Sequence, residues 1–473
     1  PVALIVMHGM GQQIEFQTLD QVAQGLARAE TIATGRALEP EANVVMIGDQ
    51  IVRRVEIKGV GDEEREVHVY EAWWAPFTEG RVGLKDVTSF LWRAGIRGGF
   101  ARRWERWIFG GMVPFNVPNL SRFGIVVTLA TLAAMFVINA TMAPAFLTRF
   151  LRDESVRPLA ADLTVAATPP LAAAVLFVLL YFIAEWVRGL EGRRSAPPGA
   201  LAIPSILTNA MRIAFLVLVV AIIAGAGLIV WFAWRHFTGD PRALYPFFER
   251  PWVMGLIWAA VLGSSWKARR FLIEYVGDVA AYVYPYHLDR FHEIRARIKD
   301  ETNRIARLVY GAADSDGSLL YDRVGLVGHS LGSVIAYDTL NRVLLEDNLR
   351  KGALDALGRT RFLLTFASPL DKTAFLFRNQ SRETTAVREA LAATAQPLIR
   401  DAAFRPPHFE WINVYAPGHN DIIGDELDFY DAPGAPPPPR VVNVPDPDAN
   451  VPLAAHVHHW SNPTVWMRLR SAI

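Results

Sequence analysis

Val324-Gly-Leu-Val-Gly-His-Ser-Leu-Gly-Ser333 decides how the rest of this sequence is read. A short apolar run, Val324, Leu326 and Val327, meets Gly328-His329-Ser330-Leu331-Gly332 and then a segment of helical character from Val334 to Leu345. The pattern is strand, sharp turn, helix. A serine hydroxyl is a weak nucleophile until a base takes its proton, and it must project from the chain to meet a carbonyl. A tight strand-to-helix turn projects it if the residues two before and two after are small enough to let the backbones pass, hence G-x-S-x-G. The same turn aims N–H groups of the helix N-terminus at developing negative charge. The five-residue string alone is weak, so the flanking strand and helix carry the assignment of Ser330 as nucleophile. The bland alternative is a glycine-rich turn that packs a helix on a sheet.

Strand, glycine turn and helix occur earlier as well. Val2–Met7 is short and aliphatic, which predicts a buried strand, and it runs into His8-Gly9-Met10-Gly11-Gln12 and a helical segment around Leu19 to Ala29. It lacks the basic n-region and cleavage site of a secretory signal. Val52–Lys58 and Glu66–Trp73 alternate around Gly59-Val-Gly-Asp-Glu-Glu64 and predict a hairpin, with His68 as a cross-strand filler. Arg270 to Tyr310 has helical spacing, as one helix or two broken at Pro285. Phe362–Phe366 and Trp411–Tyr415 read as further buried strands. Thr373–Arg400 reads as a helical cap. Asp431–Pro452, with eight prolines, reads as an extended loop without helix or strand.

At 473 residues and 52% hydrophobic, with positive mean hydropathy, the chain points to a membrane part. A net charge near +1 argues against a nucleic-acid partner. The absence of cysteine removes disulfides, zinc–thiolate sites and cysteine nucleophiles together. Trp73, Trp74, Trp92, Trp104 and Trp107 stand among Arg93, Arg97, Arg102, Arg103 and Arg106, a mixture that predicts an interfacial helix. Uncharged stretches then predict membrane spans near 124–147, 163–185 and 212–234, with a shorter fourth near 251–266. An odd number of crossings would separate the strand ending at Met7 from the one ending at Val327, so a shared sheet favours four. Lys and Arg near the span ends place the shared sheet on the cytoplasmic side. No span carries an ionisable residue near its middle, which favours an anchor or lipid-access device over a transporter. The expected division is 1–118 and 269–473 for one α/β domain, with 119–268 as a transmembrane insertion.

A serine nucleophile needs a base, and the base needs an orienting carboxylate. Asp421, just past the Trp411–Tyr415 strand, is the first candidate acid. Asp371 is its rival, with a helix N-cap as the bland reading; Asp425 and Asp428 are less well placed. Among the C-terminal histidines, His456 is favoured and His458 is second, because His458 and His459 flank Trp460 as wall residues would. His419 sits on the acid's own loop, and His329 is a turn residue.

These pieces resemble lipase-type members of the α/β-hydrolase superfamily and, more narrowly, little-characterised bacterial hydrolases with a membrane-spanning insertion. The matching residues are His8-Gly9-Met10-Gly11-Gln12, Tyr70-Glu71-Ala72-Trp73-Trp74-Ala75-Pro76, Gly328 to Ser333, Phe366-Ala367-Ser368-Pro369-Leu370, Asp421-Ile422-Ile423-Gly424 and His456 to Trp460. The resemblance implies an α/β-hydrolase-type, mostly parallel sheet with helices on both faces, interrupted by about four transmembrane helices. It implies the chain order Ser330, Asp421, His456, and an oxyanion hole from Gly9, Met10, Gly11 and Leu331. It also implies acyl-ester hydrolysis without metal or organic cofactor. Tethering concentrates membrane-resident molecules, which points to a lipid or lipid-like substrate at the cytoplasmic face of a bacterial inner membrane. An acyltransferase, a thioesterase and an inactive hydrolase-fold scaffold share these residues. The chain departs from the pattern in one place: lipase-like relatives often carry Asp-Pro where it has Asp421-Ile422.

Overall fold

The computed structural model describes residues 1–11, 13–100, 103–108, 110–116, 157–191, 197–239, 244–285, 288–378, 386–400, 404, 408–431, 434 and 437–473. The aliphatic run that opens the chain forms strand β1, Val2–Met7, buried along its whole length. A strand without polar alternation must be covered on both faces. Accordingly Ala3, Ile5 and Met7 enter one core, while Val2, Leu4 and Val6 enter another across the sheet.

The strands that follow are β2 (Glu41–Ile47), β3 (Gln50–Val60), β4 (Arg65–Glu71), β5 (Arg103–Ile108), β6 (Gly111–Asn116), β7 (Arg323–His329), β8 (Thr360–Phe366), β9 (Glu410–Tyr415) and β10 (Val441–Pro445). Eight of them form one sheet in the order β10-β9-β8-β7-β1-β4-β3-β2, and β5 pairs with β6 separately. Pairing is parallel from β10 to β4 and antiparallel through β3 and β2. Helices Asp289–Tyr310 and Leu331–Leu349 cover one face, and Gln17–Thr34 and Pro463–Ala472 cover the other. The last two approach closely, since a Cβ added to Gly25 would lie 2.3 Å from the Trp466 indole. The architecture is α/β with hydrolase-type sheet topology.

Among the described residues, two helices are long and apolar enough to cross a membrane by length and composition, Pro158–Gly189 and Ser205–Thr238. They run beyond the expected 163–185 and 212–234. The helix Pro251–Phe271 has a shorter apolar part, Pro251–Ser264. The stretch 124–147 lies outside the described residues. Two long apolar helices therefore stand where a bundle of about four was expected. Leu179, Phe182, Trp186, Ile213, Val220 and Trp234 are exposed on them.

Two other expectations are corrected. The Trp–Arg segment is not one interfacial helix: Leu84–Phe100 is helical, but Trp104 and Arg106 lie on β5. Trp104 is buried among Phe115, Phe375 and Phe429, and the Arg106 guanidinium sits 4.6 Å from the centre of the Tyr430 ring. The proline-rich segment contains β10, whose edge position tolerates Pro445. Strand β2 was not anticipated. It too is an edge strand, with Val44 and Met46 exposed.

Candidate active site

From β1 the sheet grows toward β4 on one side and β7 on the other. The helix after β1 covers one face and the helix after β7 the opposite face. The crevice between those two strand ends is a topological switch point, where open α/β sheets bind ligands. Met7 pairs with Gly328, which brings the two glycine-containing turns to the same level.

The turn after β7 depends on its glycines. A Cβ on Gly332 would lie 2.3 Å from the carbonyl oxygens of both Met7 and His8, and one on Gly328 would lie 2.6 Å from Gly332 O. Ser330 is held at φ 52°, ψ −127°, a conformation rare outside glycine. Its N–H donates to Phe366 O (3.0 Å), and its carbonyl accepts the Ser333 N–H (2.9 Å) and hydroxyl (2.6 Å). Ala367, His419 and Leu453 also have positive φ, so strain gathers on the loops around this end of the sheet.

Those loops bring the expected nucleophile, base and acid together. His456 Nε2 is 2.9 Å from Ser330 Oγ, and His456 Nδ1 is 2.9 Å from Asp421 Oδ2. With Nδ1–H donating to the carboxylate, Nε2 is left to accept the serine proton. Burial raises the Asp421 carboxyl, but the His456 imidazole and the Gly424 N–H outweigh it and hold the carboxyl well below its ordinary value. Ile423 N–H donates to Asp421 Oδ1 at 2.8 Å. Gly424 completes this loop because a Cβ there would lie 2.4 Å from Ala367 C.

The loop after β1 is fixed by groups whose roles local sequence does not reveal. His8 donates from Nδ1 to Gly9 O (2.8 Å), and its Nε2 accepts the Trp74 N–H (3.1 Å). The imidazole stacks on the Trp74 indole, whose Nε1–H returns to His8 O at 3.1 Å. Burial pushes His8 down to about 4, so it is neutral at neutral pH. Gly9 lies against His329, where a Cβ would be 2.7 Å from Nδ1. Gly11 N–H is occupied by Asp278 Oδ2 at 2.8 Å, and burial pushes that carboxyl up to about 6. This removes Gly11 from the expected oxyanion donors: the N–H groups of Gly9, Met10 and Leu331 have no partner among the described residues.

The alternates stand elsewhere. Asp371 accepts the Asp428 N–H at 2.7 Å, its Oδ1 has no partner among the described residues, and burial pushes it up to about 8. His458 Nε2 lies 2.7 Å from Glu185 on the first long apolar helix. His419 is largely exposed, and Asp425 pairs with Lys372 at 2.6 Å. His68, Glu56 and Glu66 bring possible ligand atoms within 4.8 Å of one another, but Glu56 is engaged by Arg54. A second His–Asp pair, His459 Nδ1 with Asp446 Oδ2 at 2.8 Å, is fully buried beside the first. Asp446 immediately follows β10, so it was hidden with that strand.

Comparison with protein-family models, curated proteins and solved structures returns no match. The class the fold defines is an α/β protein of hydrolase-type sheet topology. Its finer reading rests on the residues at the switch point.

Proposed function

We propose that the chain is a membrane-anchored serine hydrolase that cleaves acyl esters of lipid or lipid-like substrates. The observation that carries this reading is the hydrogen-bonded series Ser330–His456–Asp421 at the switch point of the sheet. Ser330 Oγ attacks the ester carbonyl carbon as His456 Nε2 takes its proton, and Asp421 stabilises the imidazolium. The carbonyl oxygen becomes an oxyanion stabilised by N–H groups near Met10 and Leu331. His456 then returns the proton to the departing alcohol as the C–O bond breaks. Water, activated by the same imidazole, releases the acid from the acyl-Ser330 intermediate.

Ser330 is fully buried, so acylation requires the groups above it to move aside. Exposed apolar residues on the two long helices support residence in a bilayer, which concentrates lipid substrates near the site. The proposed topology is four crossings, with 124–147 first and the short 251–266 stretch last, and the α/β domain on the cytoplasmic side of a bacterial inner membrane. The test is fluorophosphonate labelling of the full chain in bilayers, followed by ester hydrolysis assays. Wild type labels and hydrolyses, and Ser330→Ala does neither. Equal labelling of the two proteins would sink the proposal, while acyl transfer to added alcohols in place of hydrolysis would redirect it to the transferase reading.

A further inference from the structure

The two long apolar helices do not simply hang from the α/β domain. Arg188, near the end of the helix Arg157–Glu191, donates to Asp448 O (2.7 Å) and to Asn462 Oδ1 (2.9 Å). Asn462 in turn donates to Asp446 Oδ2 (2.8 Å), the carboxylate that holds His459. The connection to the next helix adds Gly199 and Leu201 N–H on the Asp448 carboxylate (2.8 and 2.7 Å) and a two-way exchange between Ile203 and Asn450 (3.1 and 2.8 Å). Arg212, early in the helix Ser205–Thr238, donates to Asn420 Oδ1 and Gly418 O, both at 3.0 Å. Asn420 O then accepts Leu453 N–H at 2.9 Å. Phe177, Ala184, Met211 and Ala214 pack in one cluster with Val451 and Ala454.

The segment from Asp446 to Asn462 carries His456, and the segment from Gly418 to Gly424 carries Asp421. The same ends of the two helices therefore hold the base loop and the acid loop through different residues. A passive anchor needs no such contacts. Burying Asp448 and Asn462 is costly unless every polar group is satisfied, and here the helix ends satisfy them.

We infer that Arg188 and Arg212 are positioning residues, through which the membrane helices keep Asp421 and His456 aligned on Ser330. The membrane part is then a working piece of the active site, an inference that rests on the serine-hydrolase reading above. Splaying the helix ends moves acid relative to base, which ties turnover to the bilayer.

The test uses the full chain in bilayers and two variants, Arg212→Gln and Arg188→Met. Arg212 is exposed, so its variant folds even if the buried Arg188 variant does not. Expected is a fall in kcat of about 10²-fold, the scale of an ångström-level misplacement, with KM unchanged and partial recovery in Arg212→Lys. Loosening the Asp421–His456 contact also removes the downfield proton resonance of His456 Nδ1–H, assigned by its absence in Asp421→Asn. A folded Arg212→Gln protein with that resonance and kcat intact overturns the inference. Because the resonance needs no turnover, an unreactive Ser330 in wild type counts against the hydrolase reading and leaves the positioning result readable.

Discussion

His329 donates a hydrogen bond from Nε2 to the backbone carbonyl of His456, 3.1 Å away. The residue beside the expected nucleophile therefore holds the segment that carries the expected base. Burial, and then the nearby His456, keep the His329 imidazole well below its ordinary pKa and hence neutral. His329→Phe would preserve the ring contacts to Phe366 and Trp460 but leave a buried carbonyl unpaired. The expected cost is about 1–3 kcal/mol of stability, measured by denaturant or thermal unfolding in a fixed detergent.

The two candidate acids separate cleanly by mutation. Asp421→Asn keeps the shape of the site but favours the wrong imidazole tautomer, and kcat should fall by about 10⁴-fold, the scale found for such a change in serine proteases. Asp371→Asn should leave kcat unchanged, because Asp371 binds the Asp428 backbone and not His456. Steady-state kinetics of both variants decide the matter, and the reverse ranking would transfer the acid role.

Stability should depend on pH in two opposing ways. His8 titrates near 4 when folded and near 6.5 when unfolded, so its contribution is full above 6.5 and is lost as pH falls through about 4. Asp371 is raised from 3.8 to about 8, so its contribution is full below 3.8 and is lost as pH rises through about 8. Relative to Asp371→Asn, wild type should lose stability steadily from about pH 5 to about 8 and level off above that. Unfolding midpoints of both proteins across that range provide the check; parallel curves would contradict it.

Gly332→Ala should damage the fold and the site together. The added methyl meets two carbonyl oxygens of the β1 exit, and these are backbone atoms that cannot rotate away. Overpacking of this kind costs about 1–3 kcal/mol or more. Gly111→Ala, with nothing within 4 Å of its added Cβ, is the control and should unfold like wild type.

Much of this arrangement was legible because central strands carry their own signature. The runs at β1, β7, β8 and β9 are apolar on both faces, and the strand ends then locate Ser330 and Asp421. Edge strands lack that signature: β2 exposes Val44 and Met46, and β10 lies among prolines. Trp104 and Arg106 misled because an amphipathic side chain looks the same at a lipid interface and in a packed hairpin. The contacts of Asp278 with Gly11, Arg188 with Asn462 and Arg212 with Asn420 join residues more than two hundred positions apart. No local pattern encodes such pairs.

The parallel pairing of β1 with β7 also constrains how this protein is made. Val2 meets Arg323, so the central strand of the sheet waits for a neighbour synthesised roughly 320 residues later, a separation that slows folding. In the proposed topology every crossing segment leaves the ribosome inside that interval. Until then β1 has an unpaired edge on the β7 side. Insertion into the bilayer thus becomes a step in folding the water-facing half: a chain whose helices stall at the translocation machinery never receives β7, and its opening strand is left for chaperones or proteases.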